Sequence, residues 1–282
     1  MRISIVIPAY NEQYHLPFCL EAISKQTYKP YQVIVVDNNS TDKTAEIALS
    51  FNFVKLIREN KQGIVYARDT GFNAASGDLI ARIDADTIIP PDWLKKIQKI
   101  FISQKYAAVS GSVSYYDAPF KRLNYYTDLF FRSKIAKTLN SSVGYLYGCN
   151  MAMERSAWET VRKDTCEQDS LHEDLDLAIH LHKQGYKLGF DKNLKAGISI
   201  RSFNTKLSYF KQYALKVPHT YSHHNIEQKQ YFYPLVAFVM TAYFPIKIGL
   251  RFYNAQTGKF SLNNKWSKTN NPIATSDYLT IE

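Results

Sequence analysis

Four short apolar runs, at residues 3–7, 32–36, 53–57 and 79–83, fall within the first 85 residues, and each is separated from the next by a stretch of helical period. Such strands are apolar on both faces, which suits a parallel sheet covered by helices on both sides and not a half-solvated antiparallel one. The first strand is expected to stop at Pro8, which offers no ladder donor. A helix then follows with Leu16, Leu20 and Ile23 on one face, running to about Gln26. Asn38 to Asp42 is turn and N-cap chemistry ahead of a helix at 44–49. Gly63 leads into a helix holding Arg68, and Gly77 is expected to close it.

The fourth run ends in Asp84 and Asp86. In an extended chain residues two apart point the same way, so both carboxylates share one side. The ligand crevice of an open α/β sheet lies at the carboxyl ends of its strands. Two hard oxygen ligands there suit Mg²⁺ or Mn²⁺ holding a substrate diphosphate. The competing reading is a polar strand end capping the next turn, with Pro90 and Pro91 opening the following helix. An Asp-x-Asp triplet has little specificity alone, and a second one occurs at Asp174 and Asp176.

Beyond Pro91 the spacing of Trp93, Ile97, Ile100 and Phe101 predicts a helix, and residues 107–115 a strand. Residues 117–147 are aromatic-rich and are expected to be irregular, with Gly148 to Met151 a turn and 152–162 a helix in which Trp158 belongs to the core. A further helix starts near His172, buries Leu171, Leu175, Ala178 and Ile179, and ends at Gly185. Glu173, Asp174 and Asp176 crowd its first turn, where acids are favoured electrostatically whether or not they do chemistry. A short strand is expected at 186–190.

The tail changes character. Residues 231–246 hold no charge and are flanked by His223, His224, Lys247 and Arg251. Sixteen residues containing Pro234 and Pro245 fall short of the ~20 that span a bilayer, so an interfacial helix is the leading expectation, with a packed core helix and a true span as alternatives. Residues 261–282 read as a polar, disordered tail.

Composition narrows the classes. With 45% apolar and 21% charged residues the chain is globular, and 35 basic against 25 acidic residues give a net charge of +10, which favours anionic partners. Cys19, Cys149 and Cys166 form no CxxC pair and read as reduced thiols. The N-terminal run is too short for a signal peptide, so a cytoplasmic catalytic part is expected. No Gly-rich phosphate loop of the dinucleotide or P-loop type is present.

The stretches 6–12, 35–42, 63–68, 77–78 and 84–86 occur in an order that resembles the inverting glycosyltransferases of family 2, which have the GT-A fold. The resemblance covers about residues 3–190. It implies a metal-dependent transfer of a sugar from a nucleotide-diphosphate-sugar, a UDP- or GDP-sugar, to a hydroxyl acceptor with inversion. Pro8, Ala9, Tyr10 and Glu12 would line the nucleotide, with Tyr10 against the base and Glu12 near the ribose. Asp37 would accept a hydrogen bond from the base, beside Asn39 and Ser40. Gly63 and Arg68 match nucleotide-side positions. Asp84, with Ala85 beside it, would hold ribose or metal, and Asp86 would ligate the Mn²⁺ or Mg²⁺. Glu173 and Asp174 resemble the acidic pair whose aspartate is the general base, Glu173 being the fallback. Gly148, Cys149 and Asn150 resemble the acceptor-side turn.

The processive Q-x-x-R-W motif is absent, since Gln212 to Lys216 carries neither Arg nor Trp, which points to one sugar per encounter. His219, His223 and His224 offer a third metal ligand or a pyrophosphate contact, against the simpler reading of separate surface histidines. The organisation expected is a catalytic domain at 1–205, with a nucleotide-sugar half (1–115) and an acceptor half (116–205), then a helical region at 206–260 and the tail. The partners expected are the donor, a lipid-linked or saccharide acceptor in cell-envelope glycolipid or polysaccharide assembly, and a membrane surface on its inner, cytoplasmic face. Dispersed Lys and Arg argue against nucleic acid. A sugar nucleotidyltransferase and an inactive nucleotide-binding relative are the competing functions. The first lacks its basic glycine loop, and the second would be marked by a broken acidic motif.

Overall fold

A computed structural model describes residues 1–103, 105–140, 143–227, 232–255 and 257–262. The chain alternates through β1 (Ile3–Ala9), α1 (Leu16–Ser24), β2 (Gln32–Asp37), α2 (Thr44–Leu49), β3 (Val54–Arg58), α3 (Ile64–Ala74), β4 (Leu79–Ile83) and α4 (Trp93–Ile102). It continues through β5 (Ala108–Tyr115), α5 (Lys121–Asn140), β6 (Asn150–Glu154), α6 (Arg155–Val161), α7 (Glu173–Lys183), β7 (Leu188–Ile198), α8 (Leu207–His223) and α9 (Phe232–Phe252). One seven-stranded sheet runs in the order β3-β2-β1-β4-β6-β5-β7. All neighbours are parallel except β6, which is antiparallel to β4 and β5. The α/β expectation holds, and the sheet is mostly parallel.

The alternation of the strand residues divides the core. Ile3, Ile5, Ile7, Val33 and Val35 pack with Leu16, Leu20, Trp93 and Ile97 on one face. Val6, Ile34 and Val36 pack with Phe72, Trp158, Leu177 and Leu181 on the other. Each such aliphatic side chain contributes roughly 1.5–3 kcal/mol when fully buried, so an acid at Val35 or Val36 would break the sheet centre.

Several boundaries differ from expectation. β1 runs through Pro8 to Ala9, because β1 pairs with β4 only as far as Val6 and Arg82 while its pairing with β2 continues to Asp37. Past Val6 a missing N–H therefore interrupts no ladder on the open side. Gly77 does not cap α3, which ends at Ala74 with Ala75 as its C-cap. Gly77 instead lets two backbones meet, for a Cβ there would lie 2.8 Å from the Ser4 nitrogen and 2.9 Å from the Arg2 oxygen. Residues 121–140 form a 20-residue helix in place of irregular chain. Residues 150–154 are strand and only 155–161 helix, while β7 extends eight residues past the short strand expected.

The C-terminal apolar helix is longer than sixteen residues. α9 continues through Lys247 and Arg251 to 21 residues, and among the described residues it is the one helix long and apolar enough to cross a membrane. Its Tyr243, Ile246 and Leu250 pack on the body, where Tyr243 stacks on Phe210 and donates to the Thr205 carbonyl (2.6 Å). Phe238, Phe244 and Ile248 on another side are exposed. Of the tail, residues 263–282 lie outside the described residues.

Candidate active site

The chain reverses its direction of travel across the sheet between β1 and β4, and such a switch point opens a crevice at the carboxyl ends of the strands. Three strand ends deliver the expected residues there: Pro8 and Ala9 from β1, Asp37 from β2, and Asp84 to Asp86 after β4. Tyr10 is half exposed at the rim. The loops behind are tied together by side chains. Asn11 (φ 55°) and Asn39 (φ 62°) take left-handed backbone, which asparagine tolerates better than most residues. The Asn11 amide donates to Ser40 Oγ (3.0 Å), and Asp37 Oδ1 accepts from the Ser40 amide (3.2 Å). Asn38, read from the sequence only as turn chemistry, donates to the Glu59 and Lys61 carbonyls and accepts from the Gly63 amide. It thereby fixes the start of α3.

Two arginines organise the floor. Arg82 lies inside β4 and is buried; its guanidinium bonds Asp174, and lies 2.9 Å from Glu173 Oε1 and 3.3 Å from Asp84 Oδ1. Carboxylates 90 residues apart in sequence are thus joined through one side chain. The other oxygen of Asp174 accepts from the Gly148 amide (2.8 Å). A Cβ on Gly148 would fall 2.0 Å from Arg82 Nη1 and 2.3 Å from Asp174 Oδ1, so only glycine fits this approach. Arg201, after β7, forks onto Glu12 (2.8 and 2.5 Å) and reaches Asp86 Oδ2 through Nε at 2.9 Å. His15 Nδ1 lies 3.4 Å from Glu12.

The electrostatics follow from this crowding. Five carboxylates, Glu12, Asp84, Asp86, Glu173 and Asp174, face two guanidiniums, leaving an excess of three negative charges when all are ionised. Burial in the crevice pushes the Asp84 carboxyl up to about 7 against the pull of Arg82. Burial likewise raises Asp86, with Arg201 opposing. In the coupled acidic pair, burial acts on both. Arg82, with His172 and Arg68 behind it, holds Glu173 down at about 2, while burial and Glu173 leave Asp174 raised. A divalent cation fits the donor set: hard oxygens, uncompensated negative charge and a carboxyl poised near neutrality.

Some expected residues lie elsewhere. Arg68 is fully buried, bonding Asp69 (2.7 Å) and the Glu173 carbonyl (2.7 Å). It braces the start of α7 and does not open on the crevice. Asn150 is also committed: its amide donates to the Ser112 and Leu194 carbonyls and its oxygen accepts from the Trp93 indole. Cys149 is buried with Val113 and Ile198. Of the acceptor-side turn only Gly148 faces the acidic pair. Glu12 is held by Arg201 and His15. His219 and His223 are exposed, as the simpler reading expected, whereas His224 is not a separate surface histidine: its Nε2 lies 2.7 Å from Asp176 Oδ1, on the far side of α7 from Asp174. Arg82 and Arg201 were missed as site residues. A charged residue in an otherwise apolar central strand demands buried carboxylates and was the available signal for Arg82. Arg201 carried none.

Residues 4–162, more than half of the chain, match the family model Glycosyl transferase family 2. The chain belongs to that family, and its sheet is that of the GT-A fold. Glycosyltransferase AglE of Haloferax volcanii is 37% identical over 120 residues, 40% of this chain and 40% of that protein. An undecaprenyl-phosphate 4-deoxy-4-formamido-L-arabinose transferase of Photorhabdus laumondii is 32% identical over 159 residues, 53% of this chain and 46% of that protein. The chain thus spans less than half the length of these relatives. Among solved structures, mannosyltransferase PcManGT from Pyrobaculum calidifontis, in complex with GDP-Man and Mn²⁺, superposes with a TM-score of 0.63 at 18% identity, covering 93% of this chain and 76% of that one. Glucosyl-3-phosphoglycerate synthase from Mycobacterium tuberculosis, with Mn²⁺, UDP-glucose and phosphoglyceric acid, gives 0.55 at 19% identity, covering 80% of each chain. At those identities the likeness is one of fold.

Proposed function

We propose that the chain transfers one sugar per encounter from a UDP- or GDP-sugar to a hydroxyl acceptor, with inversion and with a divalent cation bound. The observation that carries this reading is the meeting of two acidic pairs in one switch-point crevice through Arg82, with negative charge left uncompensated. Asp86, with Asp84, would hold Mn²⁺ or Mg²⁺, which when bound supplies charge neutralisation to the diphosphate leaving group. Pro8 to Tyr10 and Asp37 to Ser40 form the wall for the nucleoside, with Gly63 and Asn38 fixing its back. Asp174 takes the proton of the attacking hydroxyl; the Gly148 amide and Arg82 orient its carboxylate. Direct attack on the face opposite the diphosphate inverts the anomeric carbon.

The acceptor is read as lipid-linked. The Photorhabdus relative's name specifies a lipid phosphate, and α9 leaves Phe238, Phe244 and Ile248 exposed while its other side is packed. A helix so divided would lie on a membrane surface by its exposed side. The net charge of +10 supports the reading that the reaction occurs at an anionic inner membrane face, in envelope glycolipid or polysaccharide assembly.

The test is thermal stability with UDP, GDP, CDP and ADP, each with and without Mn²⁺. A ligand at about 100 times its Kd adds ~2.7 kcal/mol, a visible shift. One nucleotide should stabilise the wild type only with Mn²⁺, and Asp86→Ala should lose that shift. Stabilisation by no nucleotide would move the assignment to an inactive relative.

A further inference from the structure

The second Asp-x-Asp triplet ends in a residue that the crevice does not use. Asp174 and Asp176 stand two apart on α7, about 200° around a helix, so they face opposite ways. Asp176 is fully buried on the rear face among Cys166, His180 and His224. These four residues come from three elements: the 162–172 loop, α7 and the end of α8.

We propose that Cys166, Asp176, His180 and His224 form a second cation site, distinct from the crevice and of the kind that takes Zn²⁺. Each offers one donor atom, and the four atoms lie within 4.8 Å of one another. Within the set, Asp176 Oδ1 is 2.7 Å from His224 Nε2 and 3.5 Å from His180 Nε2, and Cys166 Sγ is 4.0 Å from His180 Nε2. Bonds of about 2.0–2.3 Å to a tetrahedral zinc place donors roughly 3.3–3.8 Å apart, so sub-ångström shifts close the set on an ion. One thiolate, one carboxylate and two imidazoles form a borderline N/S/O set, which suits zinc better than the all-oxygen chemistry of Mg²⁺.

The surroundings already orient these donors. The Cys166 amide donates to Asp176 Oδ2 (2.8 Å), which leaves Oδ1 turned to the histidines. Asp176 and His180 are four residues apart and share one helix face. Binding releases the thiol proton, and thiolate and carboxylate then balance the ion's two charges. His224 must present its Nε2 lone pair and carry its proton on Nδ1. Lys183 Nζ, 3.2 Å from that Nδ1, swings off into solvent, where its exposed side chain has room. His223 Nε2, 3.5 Å from Cys166 Sγ, is exposed and lies outside the set of four. An ion here clips the loop and the end of α8 to the back of the helix whose front carries Glu173 and Asp174. The site stands independently of the sugar-transfer reading.

The test uses the untagged full chain, stripped by a chelator and titrated with Co²⁺ as chloride. In the wild type a thiolate-to-cobalt charge-transfer band and the intense visible absorption of tetrahedral cobalt should saturate together at about one equivalent for this site, whatever the crevice binds, and Zn²⁺ should bleach both. Asp86→Ala should keep these bands, which separates the site from the crevice. Cys166→Ser should lose the charge-transfer band, and His180→Gln should weaken binding at least tenfold with the fold intact by circular dichroism. A wild type with no charge-transfer band, or a Cys166→Ser protein that retains it, overturns the proposal.

Discussion

Two arginines meet acids at the same crevice, and they differ in kind. Arg82 sits in the central sheet with 3% of its side chain exposed and three carboxylates around it. Arg201 comes from the segment after β7, leaves 35% of its side chain exposed, and bridges Glu12 to Asp86. The first cannot leave without stranding buried charge. The second can swing aside into solvent. The comparison teaches that one guanidinium is a fixed part of the floor, while the other stands where a cation on Asp86 would take over its charge.

The largest effect should come from removing the fixed one. Arg82→Met removes the guanidinium that Glu173 and Asp174 share and leaves only His172 and Arg68 behind Glu173, and breaking a buried pair this way costs about 3–5 kcal/mol. Urea unfolding should show a free energy of unfolding lowered by that amount, with the midpoint falling accordingly. A variant as stable as the wild type would mean that water already screens the pair, and the contrast with Arg201 would collapse.

Asp174→Asn tests what the fixed arginine holds in place. Amide and carboxylate are nearly isosteric, so the Gly148 contact persists while the base is lost. Transfer should fall about 10²–10⁴-fold, with Mn²⁺-dependent nucleotide binding unchanged. Full transfer activity would sink the assignment of Asp174 as base.

Arg201→Gln should matter less. Loss of charge-assisted bonds costs about 1–3 kcal/mol, and partial exposure places this pair toward the low end. The sharper readout is the response to metal: without its competitor at Asp86, Mn²⁺ should raise the melting temperature more than in the wild type. An equal or smaller rise would mean that arginine and cation do not exchange, and Arg201 would belong to the metal-bound site.

The same contrast separates what the sequence disclosed from what it hid. Strands β1, β2 and β4 were legible because each is short, largely apolar on both faces and followed by a helix of clear period, and the acids after β2 and β4 fall where such a sheet must open. The edge strand β3 was legible from its place in the alternation, with Lys55 and Arg58 exposed. α5 was not legible because its apolarity points the wrong way: Tyr125, Arg132, Ala136 and Leu139 are buried, whereas Leu123, Phe130 and Phe131 are exposed. Arg132 can hide there because Asp128 pairs with it at 2.5 Å and the Tyr147 ring lies beneath it at 3.5 Å. β6 was read as the end of a turn and the start of a helix because its apolar run, Met151 to Met153, is too short to have a decisive period. Asn150 looked like an acceptor-side residue by position, yet its donors and acceptor are spent within the sheet. Arg201 approaches Asp86 only through the fold, 115 residues away along the chain, and no local pattern announces that.

The smallest effect concerns Asp84, the outermost of the acids on Arg82. Asp84 keeps 42% of its side chain open, yet its place in the crevice pushes its carboxyl up to about 7, burial outweighing the attraction of Arg82 at 3.3 Å. A carboxyl in the unfolded chain titrates near 3.9. The folded protein therefore resists ionising Asp84, and this cost to stability begins near pH 4, grows to about pH 7 and is constant above. Asp84→Asn removes it. Without metal, the variant should melt above the wild type at pH 8, and the difference should shrink toward nothing as pH falls to 4. Solvent screening at so open a side chain keeps the gain small. The expected picture is an acid held at a disadvantage until a cation arrives, so the same substitution should also remove the stabilisation that Mn²⁺ gives the wild type. Should Asp84→Asn melt lower at pH 8, the contact with Arg82 outweighs the repulsion, and the uncompensated charge of the crevice sits on Asp86 and Glu12 beside the movable arginine.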